Sequence, residues 1–401
     1  MISGSDHIQS AKAKEIYLSI RRHGTVSKLV LLEESGLTAS TLTRILEELR
    51  AQSLILEVGL GESTGGRRPV LYETNPTYAY LFGVEISRTH SRLVLFDLHL
   101  HSLGSVSWKM NASLTPDRLI QLITEHVPTL LKTNNIEKER VLGIGIGAVG
   151  PLDRKLGIIL NPTHFPAEGW TQVPIKERLE QLLGLPVYLD NGANTGLLGE
   201  YWLSDNRQQH QLLYLHAGIG MRSAIMNEGR IFYGVMDTEG AVGQMIIESA
   251  GVPSDTPGGN YGAWESYVSI QNLITQAVAS WKQGRTVALS QWANNPDELQ
   301  FAHLIAALQA GDPVIIELFR QAAAYFGIGL ANLINILHPE EVILGGPLFS
   351  SNDFFFEETT RIALEKTYYR QYYNVRFTKG QLGDAAVSTG AAALVLSKLT
   401  E

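Results

Sequence analysis

Asp190, Asn191, Asn194 and Glu200 crowd into one stretch, Leu185 to Glu200, that reads Leu-Pro-Val-Tyr-Leu-Asp-Asn-Gly-Ala-Asn-Thr-Gly-Leu-Leu-Gly-Glu. Carboxylates and carboxamides this close can face a ligand with polar groups or, with a base among them, move a proton. Pro186–Leu189 reads as a short buried strand, Asp190–Ala193 as a turn, and Asn194 onward as a helix. That order projects polar groups from the carboxyl end of a strand into a crevice, where open α/β sheets put ligands. Whether the crevice does chemistry turns on Gly192, because glycine cannot accept a proton. The same residues equally suit a plain strand-to-helix turn with Asn191 and Asn194 as caps.

These elements need a larger frame. The 401-residue chain is too long for one small core, and two or three domains are expected. With 44% hydrophobic and 18% charged residues, it has the composition of an ordinary globular protein. No apolar run reads as a membrane span. The first residues lack the basic-then-apolar pattern of a signal peptide. No cysteine is present, which excludes disulfides and thiolate zinc sites. The expected location is the cytoplasm. The net charge of -8 argues against a nucleic-acid partner only if it is uniform. Residues 1–76 hold nine Lys/Arg and nine Asp/Glu, leaving 23 against 31 in the remainder. A neutral N-terminal module therefore precedes an acidic body.

In that module Ala13, Ile16, Tyr17 and Ile20 recur at helical spacing. Ser27 caps a second helix that Gly36 stops, and Thr38 caps a third with the apolar stripe Leu42, Ile45, Leu46 and Leu49. Ser40 and Arg44 lie opposite the stripe, with Thr41 and Thr43 flanking. This is a helix-turn-helix pattern, with the third helix as the reader of a DNA groove. Strands Leu54–Val58 and Val70–Glu73 follow, around a glycine-rich tip carrying Arg67 and Arg68. Such a tip can enter a minor groove as a wing. The alternative is a three-helix bundle and hairpin that bind protein.

Beyond the linker Thr74–Thr77 the pattern is α/β. Tyr80–Ile86 and Arg92–Asp97 read as a hairpin, Leu119–Leu131 as an amphipathic helix, Val141–Ile146 as a buried strand and Ile175–Leu183 as a helix. Leu212–His216 and Ser223–Met226 repeat the hairpin, which suggests two related lobes. Helices are expected at Glu265–Trp281, Pro313–Leu337 and Val387–Leu399, and a strand at Glu341–Gly346.

Ser27, Gly36-Leu37, Thr41-Leu-Thr-Arg44 and Gly65-Gly-Arg-Arg-Pro69, followed by Gly145-Ile-Gly-Ala-Val-Gly-Pro151, Asn191, Asn194, Gly199-Glu200, Gly218, Gly220 and Leu344-Gly-Gly346, together resemble the ROK family of repressors, open reading frames and sugar kinases. The resemblance is to its repressor branch, of the xylose and N-acetylglucosamine repressor type, and covers nearly the whole chain. It implies an α/β protein: an N-terminal winged helix-turn-helix (residues 1–76) joined to a two-lobed actin/hexokinase-like, ribonuclease H-like body. The lobes are expected at 77–195 and 196–401, with the C-terminal helix packing back on the first.

In family kinases an Asp after the turn Asn takes the proton from the sugar hydroxyl. Here that position is Gly192, so only a shifted register could bring in Asp190. The first phosphate loop, Asp-x-Gly-x-Thr, reads Glu85-Ile-Ser87-Arg88-Thr89, and the second has Ile219 for the hydroxyl-bearing Thr. These departures argue against phosphoryl transfer, and no catalytic residue or cofactor is expected. The Gly345-Gly346 pair needs no nucleotide, since a tight turn explains it. The family's zinc pattern, Glu-x-Gly-His then Cys-x-Cys-Gly-x-x-Gly-Cys-x-Glu, has become Ala241-Val-Gly-Gln244 and Thr256-Pro-Gly-Gly-Asn-Tyr-Gly-Ala-Trp-Glu265. No metal is expected, and Pro257, the glycines and Trp264 are left to shape the loop.

The resemblance thus implies a regulator without enzymatic activity. Ser40, Thr41, Thr43, Arg44, Arg67 and Arg68 are the candidate contacts to a double-stranded operator. Asn191, Gln244 and Glu265 are the candidate contacts to a sugar or anionic sugar-derivative effector. Arg88 and Arg222, beside the two glycine loops, favour an anion if they reach the ligand. A homodimer or homotetramer on an inverted repeat is expected, with no membrane partner. The competing readings are an ATP-dependent carbohydrate kinase with an appended DNA-binding domain, and a scaffold that binds no nucleic acid.

Overall fold

The apolar spacing of Ala13, Ile16, Tyr17 and Ile20 winds the first helix, α1 (Ala11–His23), in the computed structural model. The structure describes residue 8 and residues 10–61, 68–203, 210–235, 239–255, 258–286 and 288–399. A short strand, β1 (Thr25–Ser27), leads into α2 (Lys28–Ser35), whose N-cap Ser27 accepts a bond from the Val30 amide at 3.4 Å. Gly36 ends α2 with φ 62°, a left-handed conformation that suits glycine. The chain thereby turns within three residues into α3 (Ala39–Ala51), capped by Thr38. Strands β2 (Ile55–Leu60) and β3 (Val70–Thr74) complete an antiparallel sheet of order β1-β3-β2. The α3 stripe packs against Ala13, Ile16, Tyr17 and Ile20 in one small core.

The chain divides into two compact units, Met1–Arg207 with Val387–Glu401, and Gln208–Ala386. After the N-terminal module, the first unit contains β4 (Tyr80–Ile86), β5 (His90–Asp97), β6 (Ser102–Lys109), α4 (Pro116–Thr133) and β7 (Val141–Ala148). A minor hairpin, β8 (Leu152–Asp153) and β9 (Ile158–Ile159), then α5 (Ile175–Leu183), β10 (Val187–Asn191) and α6 (Gly192–Leu203) follow. Its sheet order is β10-β7-β4-β5-β6, with β4, β7 and β10 parallel and the rest antiparallel. The register sets Glu85, Gly147 and Asp190 side by side at the carboxyl ends of the three parallel strands.

The second unit contains β11 (Gln211–Ala217), β12 (Met221–Asn227), β13 (Arg230–Ile231), α7 (Glu265–Val268), α8 (Ile270–Lys282), α9 (Phe301–Gln309), α10 (Pro313–Leu337), β14 (Glu341–Gly345), α11 (Pro347–Ser350), α12 (Asp353–Lys366) and β15 (Arg376–Lys379). Its sheet order, β13-β12-β11-β14-β15, reproduces the hairpin-plus-parallel plan of the first. The repeated hairpin in the sequence is the visible part of this duplication. The last helix, α13 (Ala386–Ser397), packs in the first unit through Ala392, Ala393, Val395 and Leu396, against Leu81, Phe96 and Leu142.

The structure differs from the sequence reading in several details. Asp190 and Asn191 stay in β10 and α6 starts directly at Gly192, so the expected turn over Asp190–Ala193 shrinks to a junction. The side-chain oxygen of Asn191 caps the Asn194 amide at 2.7 Å, which lets the helix begin without a loop. The lobe boundary expected at 195/196 falls inside unbroken α6, which belongs with the first unit. The helix expected at Glu265–Trp281 breaks at Ser269, whose hydroxyl caps α8. Finally, α10 is long and apolar enough to cross a membrane by length and composition. Its apolar face is used in the core, where Phe319, Phe326 and Leu330 are fully buried.

Candidate functional site

The first turns of α3 present a polar face built from its own cap. The Thr38 hydroxyl accepts a bond from the Thr41 amide at 3.3 Å and lies 2.8 Å from the Thr41 hydroxyl and 3.2 Å from that of Ser40. Ser40 and Arg44 are exposed, and Arg44 makes no hydrogen bond or ion pair among the described residues. Thr43 is half-buried and engaged: its hydroxyl donates to the Ala39 carbonyl at 2.6 Å and accepts from Lys28 Nζ at 2.5 Å. Lys28, absent from the sequence-based candidates, thus ties α2 to α3 and sets a cation beside the same face. Spacing along the chain gives no sign of this bond, since it joins two helices. Arg68 is exposed just before β3, whereas Arg67 lies outside the described residues.

Across the first unit's parallel strand ends, the turn residues are buried and mutually bonded. Asp190 and Asn191 are each 3% exposed. Asp190 Oδ1 accepts from the Asn191 amide at 2.7 Å and from Asn194 Nδ2 at 2.9 Å. One oxygen of the only carboxylate near Gly192 in sequence is therefore committed to holding the junction. In the neighbouring loop the Ser87 hydroxyl donates to the His90 carbonyl at 2.7 Å and accepts from its amide at 3.2 Å, closing the hairpin. Arg88 Nε donates to the Thr163 carbonyl at 3.0 Å. Glu85 Oε2 lies 3.2 Å from His90 Nε2, close enough for an ion pair when the imidazole is charged.

In the second unit, Glu265 Oε2 accepts from the Met221 amide at 2.7 Å, joining the start of α7 to the start of β12. Gly243 lies against that carboxylate, for a Cβ there would come within 3.1 Å of it. Gln244 is turned to another task. Its Oε1 accepts from the Asn260 amide at 3.0 Å, its carbonyl accepts from Asn260 Nδ2 at 2.9 Å, and its Nε2 reaches Ser254 Oγ at 3.5 Å. The sequence assigns Gln244 to an effector, but its amide oxygen clasps the loop. Pro257, credited with shaping that loop, lies outside the described residues. Trp264 is fully buried, with Nε1 donating to the Tyr325 carbonyl at 3.0 Å. Arg222 follows the second glycine loop on β12, and its Nε is buried. Ile219, between the loop glycines, is 41% exposed. Gly345 and Gly346 are explained by close packing on the Tyr214 hydroxyl and the Ala217 carbonyl. No cluster of metal-ligating side chains occurs among the described residues.

The profile described as ROK family matches residues 81–398. The xylose repressor of Caldicellulosiruptor bescii is 30% identical over 93% of this chain and 91% of its own length. Among solved structures, a ROK family transcriptional regulator described as a homolog of the E. coli MLC protein superposes with a TM-score of 0.79. It is 23% identical and covers 98% of this chain and 97% of its own. A ROK family glucokinase from Streptomyces griseus, solved with glucose and AMPPNP, gives a TM-score of 0.68 at 23% identity. It covers 79% of this chain and 99% of its own. The likeness of fold thus extends over nearly the whole chain for the regulator and over about four fifths of it for the kinase.

Proposed function

This chain belongs to the ROK family, and we propose from that premise that it is a transcriptional repressor of carbohydrate-related genes. In this reading residues 1–76 form a winged helix-turn-helix that docks α3 in a major groove. The observation that carries it is the exposed start of α3: Ser40 and Arg44 face solvent, opposite a stripe sealed in the module's core. Ser40, Thr41 and Arg44 are the proposed groove contacts. Thr43 and Lys28 hold that face in place, and Arg67 and Arg68 serve the wing. The protein binds an inverted repeat as a homodimer or homotetramer, with paired α3 helices about one helical turn of DNA apart, or a multiple of it. It acts in the cytoplasm.

The body then serves as a sensor and not a catalyst. Gly192 offers no base, Ile219 offers no hydroxyl, and Asp190 is drawn into the junction with Asn194. Asn191 and Glu265 are the proposed effector contacts, with Gln244 acting through the loop it clasps. The loss of carboxylates at 192 and 241 weakens the grip on a neutral hexose, since charged hydrogen bonds are worth roughly 1.5–3 kcal/mol each. The fixed cation of Arg222, beside the second glycine loop, favours an anionic sugar derivative.

Selection of genomic fragments with the purified protein tests the reading, followed by release assays with D-xylose, D-glucose, sugar phosphates and sugar acids. An inverted repeat released by one ligand class is expected. Failure to enrich any sequence would overturn it. Steady ATP turnover with a common hexose, abolished by Asp190→Asn, would instead favour the kinase.

A further inference from the structure

We propose that α6 is a rod through which the proposed effector-side end of β10 sets the position of the DNA-binding module, with Trp202 and Arg21 as positioning residues at its far end. The proposal rests on the functional reading above and specifies its route of regulation.

At its start the rod is locked to the end of β10. Asn191 Oδ1 holds the Asn194 amide, Asp190 Oδ1 holds the Asn194 side chain, and the Thr195 hydroxyl donates to the Asn191 carbonyl at 3.0 Å. All four residues are buried. A ligand that draws on the Asp190 or Asn191 side chain must therefore compete with bonds that fix the first turn of α6. The helix then runs unbroken to Leu203, about 18 Å at the usual rise per residue.

At its other end Trp202 lies under the guanidinium of Arg21, with Cζ 3.9 Å from the ring centroid. Arg21 belongs to the last turn of α1 and is only 7% exposed. One turn earlier on α1, Tyr17 is fully buried, and Tyr78 packs both on the module's core and on the cluster containing Trp202. Because α1 supplies the surface on which the α3 stripe sits, a tilt of α6 at Trp202 passes through Arg21 to α1 and from there to α3.

The walls along α6 favour motion as one body. A Cβ on Gly390 of α13 would stand 1.6 Å from the Thr195 carbonyl oxygen, and one on Gly147 of β7 would stand 2.4 Å from the Thr195 hydroxyl. The helix is thus packed closely at both glycines, with no side chain on them to absorb a displacement, which is the setting in which packed helices shear. A second latch joins module and body away from α6: His99 Nε2 lies 2.8 Å from the Thr74 carbonyl. It provides a control.

The experiment is a double-mutant cycle in the full-length protein, read as affinity for the selected operator. Asn191→Ala removes the cap and Arg21→Ala the stacking cation. If both act through α6, the double variant binds no worse than the weaker single variant. Asn191→Ala combined with His99→Ala should instead multiply, within the roughly twofold error of independent sites. Arg21→Lys, which keeps the charge and loses the planar stack, should fall between wild type and Arg21→Ala. Multiplicative behaviour of Asn191→Ala with Arg21→Ala would sink the proposal. Should no operator be enriched, the regulator reading fails but the rod is still tested by hydrogen exchange. Asn191→Ala should speed exchange across α1 and leave β5 and β6 unchanged. Unchanged α1 amides, or equal acceleration in both regions, would overturn it.

Discussion

Arg44 stands on the first exposed turns of α3 with no hydrogen-bonding or ionic partner among the described residues. An arginine held by a rigid helix and opposed to its buried stripe is available for a base edge or a phosphate. Arg44→Ala should weaken operator binding by about 1–3 kcal/mol if the contact is to a base, measured by anisotropy against the selected fragment. Unchanged affinity in a folded variant would remove Arg44 from the interface. Gln244 makes the complementary point, since its type is readable as ligand-binding and its geometry is that of a clasp. It stands where the family pattern has a zinc-binding histidine, and where thiolates are missing Gln244 and Asn260 each bond the other's main chain: Gln244 Oε1 accepts from the Asn260 backbone amide and Asn260 Nδ2 donates to the Gln244 carbonyl. Gln244→Ala should cost about 1 kcal/mol for the side-chain bond it removes and expose residues 254–260 to faster proteolysis. Chelators should leave wild-type melting untouched. Cleavage at the wild-type rate would show that the clasp holds nothing.

The helices and strands that carry the site are legible to different depths. Ile175–Leu183 and Pro313–Leu337 match their apolar spacing end to end, and the Tyr80–Ile86 strand stands out because every residue in it is buried. β6 escapes a sequence reading because an edge strand with alternating exposed serines has little apolar signal. β15 escapes because only Phe377 in it is apolar. Asp190 reads as part of a turn because Asp, Asn and Gly are turn formers, whereas the pairing of Asp190 with Gly147 and Asn191 with Ala148 holds both in the strand. The glycines of the body tell most about what one-dimensional reading cannot reach. Gly83 and Gly145 look like weak points in strands, yet a Cβ would come within 1.9 Å of the Ser388 carbonyl oxygen and 1.7 Å of that of Ala391. They are the seat of α13. Gly145→Ala must push that helix off the sheet, and overpacking of this kind costs about 1–3 kcal/mol or more. Urea unfolding should register the destabilisation, and a midpoint equal to wild type would mean that α13 can rise without consequence.

At the scale of the whole molecule, charge is divided as labour is. The body carries the entire excess of acid and offers DNA no bulk attraction, while in the first 76 residues nine basic side chains meet nine acidic ones. A balanced module cannot bind DNA by bulk attraction, and depends on where its few cations stand. Lys28 stands beside α3 and Arg44 on it, while Arg68 is exposed just before β3 and Arg67 precedes it in sequence, so helix and proposed wing would grip the duplex at separate places. Each bond to a phosphate releases condensed counterions, so deleting one cation that makes such a bond flattens the plot of log affinity against log salt by about 0.9. Replacing Arg67 and Arg68 together with alanine should therefore weaken binding and reduce the slope by about 1.8 if both touch phosphate. The same replacement should leave the thermal melting of the chain unchanged, because Arg68 is exposed in the connection. Titrations from low to moderate salt separate the outcomes. A reduced slope assigns the wing to the DNA backbone. A parallel line displaced to weaker binding would mean that the arginines shape the wing without touching phosphate, and a superimposed line would leave α3 as the sole grip.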